Sequence, residues 1–243
     1  MTLFDTLFCR KSCRSYDMTP LSTETLDEIA AFFAAQSPLL PGMRAKLVFT
    51  TPDHIECIQP WKAPHYAVLY TDDHALNYEN IGYLGQMLDL YLQSRGFGCC
   101  WLGLGRLDDQ PGTLPHEVDG LQFAIMMAFG RPKDSPHREL SDFKRKPLDE
   151  VADRYDEPLE VVRLAPSAVN SQPWYFTHAD GLLHLYRIRL DLIRQRMYGK
   201  YNRFDTGIAL THLAVAHPDT FTIVPGAPHP DVKGHDYIIS CRI

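Results

Sequence analysis

The stretch Tyr78 to Arg95 most constrains what this chain can fold into. At helical spacing Ile81, Leu84, Leu88 and Leu92 form one face, while Tyr83, Met87, Leu90 and Tyr91 populate the others. A helix apolar on nearly every side cannot lie on a surface and needs other elements packed around it. The flanking sequence supplies them. His65 to Thr71 and Leu121 to Gly130 read as buried strands, Lys46 to Thr51 as another, and Cys99 to Gly103 as a short strand running into glycine. Gly96 follows the helix where a left-handed cap is needed. Upstream, Leu3, Phe4, Leu7 and Phe8 give a short amphipathic helix. Ser22 then caps a second helix, with Thr25 at its third position and Leu26, Ile29, Phe32 and Phe33 as its apolar stripe, ending before Pro38.

The rest of the chain repeats this order. A helix around Leu159 to Leu164 precedes strands at Tyr175 to His178 and Leu182 to Tyr186, a buried helix at about Phe204 to Ala216, and strands near Phe221 to Val224 and Tyr237 to Arg242. Ile81-Gly82-Tyr83-Leu84 aligns with Thr206-Gly207-Ile208-Ala209, and Leu88 falls on Leu213. This predicts a divergent internal duplication, against the plainer alternative of one α+β domain without a repeat. The expected division is a first half over 1–135, a Pro- and Lys-rich connector over 136–147 and a second half over 148–243, or one integrated domain.

Composition narrows the function classes. A chain of 243 residues, 45% hydrophobic and 22% charged, buries a full core. A net charge of -6 disfavours nucleic acid or an anionic membrane as partner. No apolar run approaches the roughly 18 residues of a membrane span, and a secretory leader pattern is lacking, so a cytoplasmic location is expected. The cysteines Cys9, Cys13, Cys57, Cys99, Cys100 and Cys241 are then expected as reduced thiols, and their spacing does not suit zinc; no metal is expected. His65, His178 and His212 lie in apolar or strand contexts that suit satisfied core histidines, and His229 and His235 read as solvated loop residues. Gly103-Leu104-Gly105 lacks the third glycine of a dinucleotide fingerprint.

Two polar segments remain unexplained by packing. Ala165-Pro166-Ser167-Ala168-Val169-Asn170-Ser171-Gln172-Pro173-Trp174-Tyr175-Phe176 passes from helix end to strand through a loop shaped by two prolines, suited to lining a planar ligand or to a plain turn before an edge strand. Arg10-Lys11-Ser12-Cys13-Arg14 puts three cations and a hydroxyl within five residues, a set suited to a phosphate monoester unless it is a solvated face. Lys144-Arg145-Lys146-Pro147 is a second such cluster.

These segments, with the Gly96-Phe97-Gly98-Cys99-Cys100-Trp101-Leu102-Gly103 turn, resemble the nitroreductase family of FMN-dependent oxidoreductases over nearly the whole chain; Pro-Ser-x-x-Asn-x-Gln-Pro-Trp is the most specific part. In the family's usual homodimers the basic motif of one subunit faces the Pro-Ser-Asn loop of the other. Here Ser37-Pro38-Leu39-Leu40-Pro41-Gly42 stands where the first half would carry that loop, and the second half lacks the basic motif. The chain thus resembles the single-chain pseudo-dimer branch, whose two shortened halves frame one flavin. The resemblance implies an α+β fold of mixed or antiparallel sheets flanked by helices, with buried central helices. It also implies FMN as cofactor, NAD(P)H as transient hydride donor, and a nitroaromatic, quinone or similarly flat small-molecule acceptor. The alternative is an FMN-binding carrier or sensor with little turnover. A monomer suffices, and a homodimer is compatible. By resemblance Arg10, Lys11 and Ser12 go to the phosphate and ribityl end, Lys144 and Arg145 close over the phosphate, and Arg14 approaches the pyrimidine edge, where a cation tunes the flavin. Main chain at Leu102, Gly103 and Leu104 lies near flavin N5, and Pro166, Ser167 and Asn170 cover the ring. Gln172 and Trp174 are structural alternatives, and Tyr198, Tyr201 and Arg203 are candidates for the acceptor pocket.

Overall fold

A computed structural model describes residues 1–56, 58–108 and 113–243. Cys57 and positions 109–112 of the loop after Leu107 lie outside the described residues. Two units are formed, one from Met1–Asn77 and Leu84–Leu140, the other from Tyr78–Tyr83 and Ser141–Ile243.

In the first unit the elements are α1 (Leu3–Leu7), α2 (Thr23–Ala34), β1 (Ala45–Thr50), β2 (Ile55–Glu56), β3 (His65–Thr71), the later part of α3 (Asn77–Ser94), β4 (Gly98–Leu102), β5 (Arg106–Leu107), β6 (Glu117–Val118) and β7 (Leu121–Gly130). Ser22 caps α2 by accepting from the Thr25 N–H, as the sequence predicts. The continuous apolar runs become the central strands: β3 pairs β1 on one side and β7 on the other, β7 pairs β4, and every pairing is antiparallel. All of β3 is buried, which explains why it reads as an unbroken run without alternation. Asp119 and Gly120 both take positive φ (54° and 75°) in the tight turn joining β6 to β7. Gly96 lies just past the Arg95 C-cap of α3 and has φ +83°. The β2–β5 pair has two residues in each strand, too short to leave a periodic signal in the sequence.

The second unit contains α4 (Glu160–Arg163), β8 (Trp174–Ala179), β9 (Leu182–Ile188), α5 (Leu192–Ala216), β10 (Thr222–Val224) and β11 (His235–Arg242). Its sheet runs β10-β11-β9-β8, again antiparallel throughout. Taken in chain order, the four main strands of each sheet are arranged first, second, fourth, third, with a long helix between the second and the third. Both sheets therefore carry one topology.

The early turns of α3 cross α5 inside the second unit, at glycine on both sides. A Cβ on Gly82 would lie 2.0 Å from the Phe204 carbonyl oxygen, and a Cβ on Gly207 would lie 1.9 Å from that of Glu79. Gly82 and Gly207 are the pair aligned in the sequence, and each meets the carbonyl three residues before its counterpart. The contact is reciprocal, as across a two-fold axis.

Two expectations are corrected. The helix expected from about Phe204 starts about three turns earlier: α5 begins at Leu192, capped by the Asp191 side chain accepting from the Arg194 N–H at 2.9 Å. Its first turns expose Leu192 and Ile193, so no buried face marks them as helical in the sequence. His235 opens β11, and its ring packs 5.0 Å from that of Tyr175. No helix is long and apolar enough to cross a membrane among the described residues.

Candidate functional site

The basic segment of the first unit is laid along β4 and α3. Ser12 bridges Cys99 in parallel, the Cys13 N–H donates to the Cys99 carbonyl at 2.9 Å, and the Lys11 N–H donates to Gln93 Oε1 at 2.9 Å. Arg10 turns inward. Its side chain is 1% exposed and its Nε stands 2.9 Å from Oδ2 of Asp89, itself fully buried. Gln86 and Gln93 donate to the Asp89 carboxylate at 3.1 and 2.7 Å, and Trp101 Nε1 donates to Gln86 at 3.2 Å. Arg10 therefore anchors the segment by a buried ion pair. Removing one member strands the other charge, so Arg10→Ala is expected to lower stability by about 3 kcal/mol in denaturant unfolding. Arg10→Ala together with Asp89→Leu is expected to recover much of that loss.

Lys11 and Ser12 are half-buried and Arg14 is exposed. Among the described residues, neither Lys11 nor Arg14 forms an ion pair. The Ser12 hydroxyl lies by the Cys100 thiol, whose pKa burial pushes up to about 11. Leu102 is buried at the end of β4, while Gly103 and Leu104 are exposed in the turn that follows, closed by the Gly105 N–H on the Leu102 carbonyl. The first-unit residues singled out in the sequence thus meet along one strand and its turn.

The second-unit residues also meet one another. The basic segment at 144–146 is bound to the Pro-Ser-Asn loop: Asn170 Nδ2 donates to the Lys144 carbonyl at 2.8 Å, Arg145 donates to Asn170 Oδ1, and the Lys146 N–H donates to Gln172 Oε1 at 2.9 Å. Arg163 Nε donates to the Lys146 carbonyl at 2.9 Å from behind. Arg145 also reaches the Leu164 carbonyl, so its guanidinium serves the loop itself. Lys144 is exposed and makes no ion pair among the described residues.

Within the loop, Val169, Asn170 and Gln172 have φ of 48°, 57° and 46°. For side chains other than glycine the left-handed region costs on the order of 1 kcal/mol or more each. The loop is held against that cost by specific bonds. Ser167 Oγ accepts from the Gln172 N–H at 2.9 Å, and Gln172 and Trp174 are buried, which gives both a structural part. Below the loop, Asp205 of α5 is 3% exposed and accepts the Ala168 N–H on both carboxylate oxygens, at 3.0 and 3.1 Å. Burial raises its pKa to about 8, against the opposing pull of the Ala168 bond.

Three buried carboxylates, Asp89, Glu79 and Asp205, leave one faint trace in the sequence, an acid inside a helix otherwise apolar. Glu79 is 1% exposed and lies between Arg187, at 3.0 Å, and Arg203, at 2.8 Å. Arg203 also covers the Tyr78 ring at 4.6 Å, so this candidate for the acceptor pocket has its charge engaged. Tyr198 and Tyr201 are half-buried on α5. His65 Nε2 accepts from the Leu21 N–H at 2.8 Å, and His212 Nδ1 lies 2.8 Å from the Val161 carbonyl, both as core histidines. His178 instead lies between Asp153 and Asp156, at 2.7 and 2.8 Å. Among the described residues, no three His, Cys, Asp or Glu side chains are grouped to hold a metal ion.

Residues 2–217 match the family model described as "Putative TM nitroreductase". Among solved structures, a putative nitroreductase of Thermotoga maritima is 18% identical with a TM-score of 0.64, the match covering 99% of this chain and 92% of that one. A nitroreductase family protein of Clostridium difficile 630 is 17% identical with a TM-score of 0.47, covering 62% of this chain and 96% of that one. An FMN-dependent nitroreductase of Clostridium difficile R20291 is 13% identical with a TM-score of 0.43, covering 60% and 98%. No curated protein matches the chain. With the family model matched over most of its length and the α+β fold shared with the Thermotoga protein, the chain belongs to the nitroreductase family of oxidoreductases.

Proposed function

We propose that the chain is an FMN-dependent oxidoreductase that takes hydride from NADH or NADPH and passes electrons to a nitroaromatic, quinone or similarly flat small molecule. The observation that carries this reading is the docking of the 144–146 segment on the Pro-Ser-Asn loop. Two segments separate in the sequence, each resembling part of a flavin site, are bonded to one another, and the Lys144 ammonium makes no ion pair among the described residues.

The donor chemistry fits FMN. Lys11 and Lys144 are cations without ion-pair partners among the described residues, and a phosphate dianion would supply the opposite charge. Hydrogen bonds to a charged group contribute about 1.5–3 kcal/mol each, so a few retain the cofactor. When bound, FMN supplies the hydride chemistry, while the protein supplies position and field. Lys11, Ser12 and Lys144 hold the phosphate end. Arg10 and Arg145 act beside them by fixing the two segments that carry those groups. Arg14 offers positive charge to the pyrimidine edge, where the reduced ring gathers negative charge. With FMN bound, main chain at Leu102, Gly103 and Leu104 would face its reactive edge, and Pro166, Ser167 and Asn170 would cover the ring and exclude water.

Both halves serve a single flavin in this reading, as an intrachain pseudo-dimer for which a monomer is sufficient. The shared strand order of the two sheets and the reciprocal Gly82 and Gly207 contacts support a duplicated origin. The same reading puts the reaction in the cytoplasm, with the nicotinamide docking only transiently. Anaerobic mixing of the FMN-loaded protein with NADH and with NADPH is expected to bleach the flavin band with at least one donor, and a quinone or nitroaromatic is expected to restore it. A spectrum that neither donor bleaches assigns the chain to flavin carriage instead.

A further inference from the structure

We propose that Asp205, a residue with no place in the site residues named above, is the positioning residue that locks the Pro-Ser-Asn loop into its flavin-covering shape. This rests on the FMN reading of that loop. Three of its four residues from Val169 to Gln172 are left-handed without being glycine, a form the chain does not keep unaided. Most of the bonds that restrain it come from the loop or from the 144–146 segment lying on it. Asp205 differs because it stands on α5, two residues before the Gly207 crossing. It takes the Ala168 N–H at the point where the extended Ser167 gives way to the turn Ala168–Asn170. Through this bond the position of the loop is set by the long helix. A carboxyl group buried this completely against the Ala168 N–H and the Ser171 side chain is a costly way to cap a turn. The arrangement is explained if what matters is where the loop sits.

Three variants test the assignment. Asp205→Asn keeps a carbonyl oxygen for the Ala168 N–H, Asp205→Ala removes the acceptor, and Ala168→Pro removes the donor while leaving Asp205 in place. Proline suits that position, which opens a helical turn after an extended residue. In the cofactor-free protein, the amide hydrogen of Ala168 is expected to exchange slowly in the parent and in Asp205→Asn, and fast in Asp205→Ala. FMN Kd is expected to rise at least tenfold in Asp205→Ala and Ala168→Pro, with a shifted visible flavin band, and to stay within threefold of the parent in Asp205→Asn. The proposal is overturned if Asp205→Ala and Ala168→Pro bind FMN with parental Kd and band shape, or if Asp205→Asn is as impaired as Asp205→Ala. Lys11→Ala and Lys144→Ala separate the two levels. If these lose FMN while Asp205→Ala does not, the positioning role alone fails. A parent protein that takes up no FMN overturns both.

Discussion

Replacing Gly207 by alanine is expected to leave little folded protein at room temperature, and Gly82→Ala is expected to do nearly the same. The added methyl would fall 1.9 Å from the Glu79 carbonyl oxygen in one case and 2.0 Å from the Phe204 carbonyl oxygen in the other. Both obstacles are helix backbone, which cannot rotate aside as a side chain does. The helices have to separate, loosening the packing of two elements buried on most of their surface. Such overpacking is expected to cost on the order of 5 kcal/mol, comparable with the whole stability of an ordinary domain. The better helix propensity of alanine returns only about 1 kcal/mol. Gly226→Ala is the control: at φ +68° with no atom within 4 Å of the added methyl, it should cost only about 1–2 kcal/mol. The double variant should fall well short of the sum, since both substitutions open the same crossing. Thermal melts of the four variants check this, and parental melting temperatures for Gly82→Ala and Gly207→Ala would refute the close crossing.

The contribution of Asp205 to stability is expected to fall as pH rises from about 4 to about 8, partly offset by His65, whose lowered pKa acts in the opposite direction, and Asp205→Asn is expected to remove that contribution. Burial raises the Asp205 pKa from 3.8 to about 8 in the folded chain. Between those values the folded state holds a proton that the unfolded state has released, so each step up in pH favours unfolding. The stability that the protonated carboxyl contributes is complete below the unfolded pKa and is lost as pH rises through the folded one. At about 1.4 kcal/mol per unit, the whole window is worth on the order of 5 kcal/mol. Denaturant unfolding at pH 5 and pH 8 measures it. A parent and an Asp205→Asn variant with equal pH slopes would show that Asp205 does not carry this linkage.

The legible parts of the fold were those in which burial wrote itself into local sequence. The full apolar runs of β3 and β7 mark their own limits, and Ser22 and Gly96 mark helix ends by chemistry that acts within a few residues. The first turns of α5 were not legible because Leu192 and Ile193 are exposed there, leaving a helix without an apolar face. The candidate site was legible as separate segments. Their assembly was not: Arg10 reads as a free cation until Asp89 of α3 comes beside it, and Arg145 reads as a phosphate ligand until Asn170 accepts from it. Asp205 was hidden for the same reason, since its partner is a backbone N–H that no side-chain pattern reveals. Gly82 and Gly207, the pair aligned in the sequence, answer to one steric need, the close approach of the two helices, which no local pattern of apolar residues records.

The proposed function calls for one flavin per chain, with Lys11 and Lys144 both contributing to its binding. Titration of the purified protein with FMN, followed by quenching of flavin fluorescence, tests it most directly in the parent, Lys11→Ala and Lys144→Ala. The parent is predicted to saturate at one FMN per chain, and each substitution to weaken binding by about tenfold or more, since each removes a charged contact of about 1.5–3 kcal/mol. No uptake by the parent, or uptake indifferent to either lysine, would contradict it.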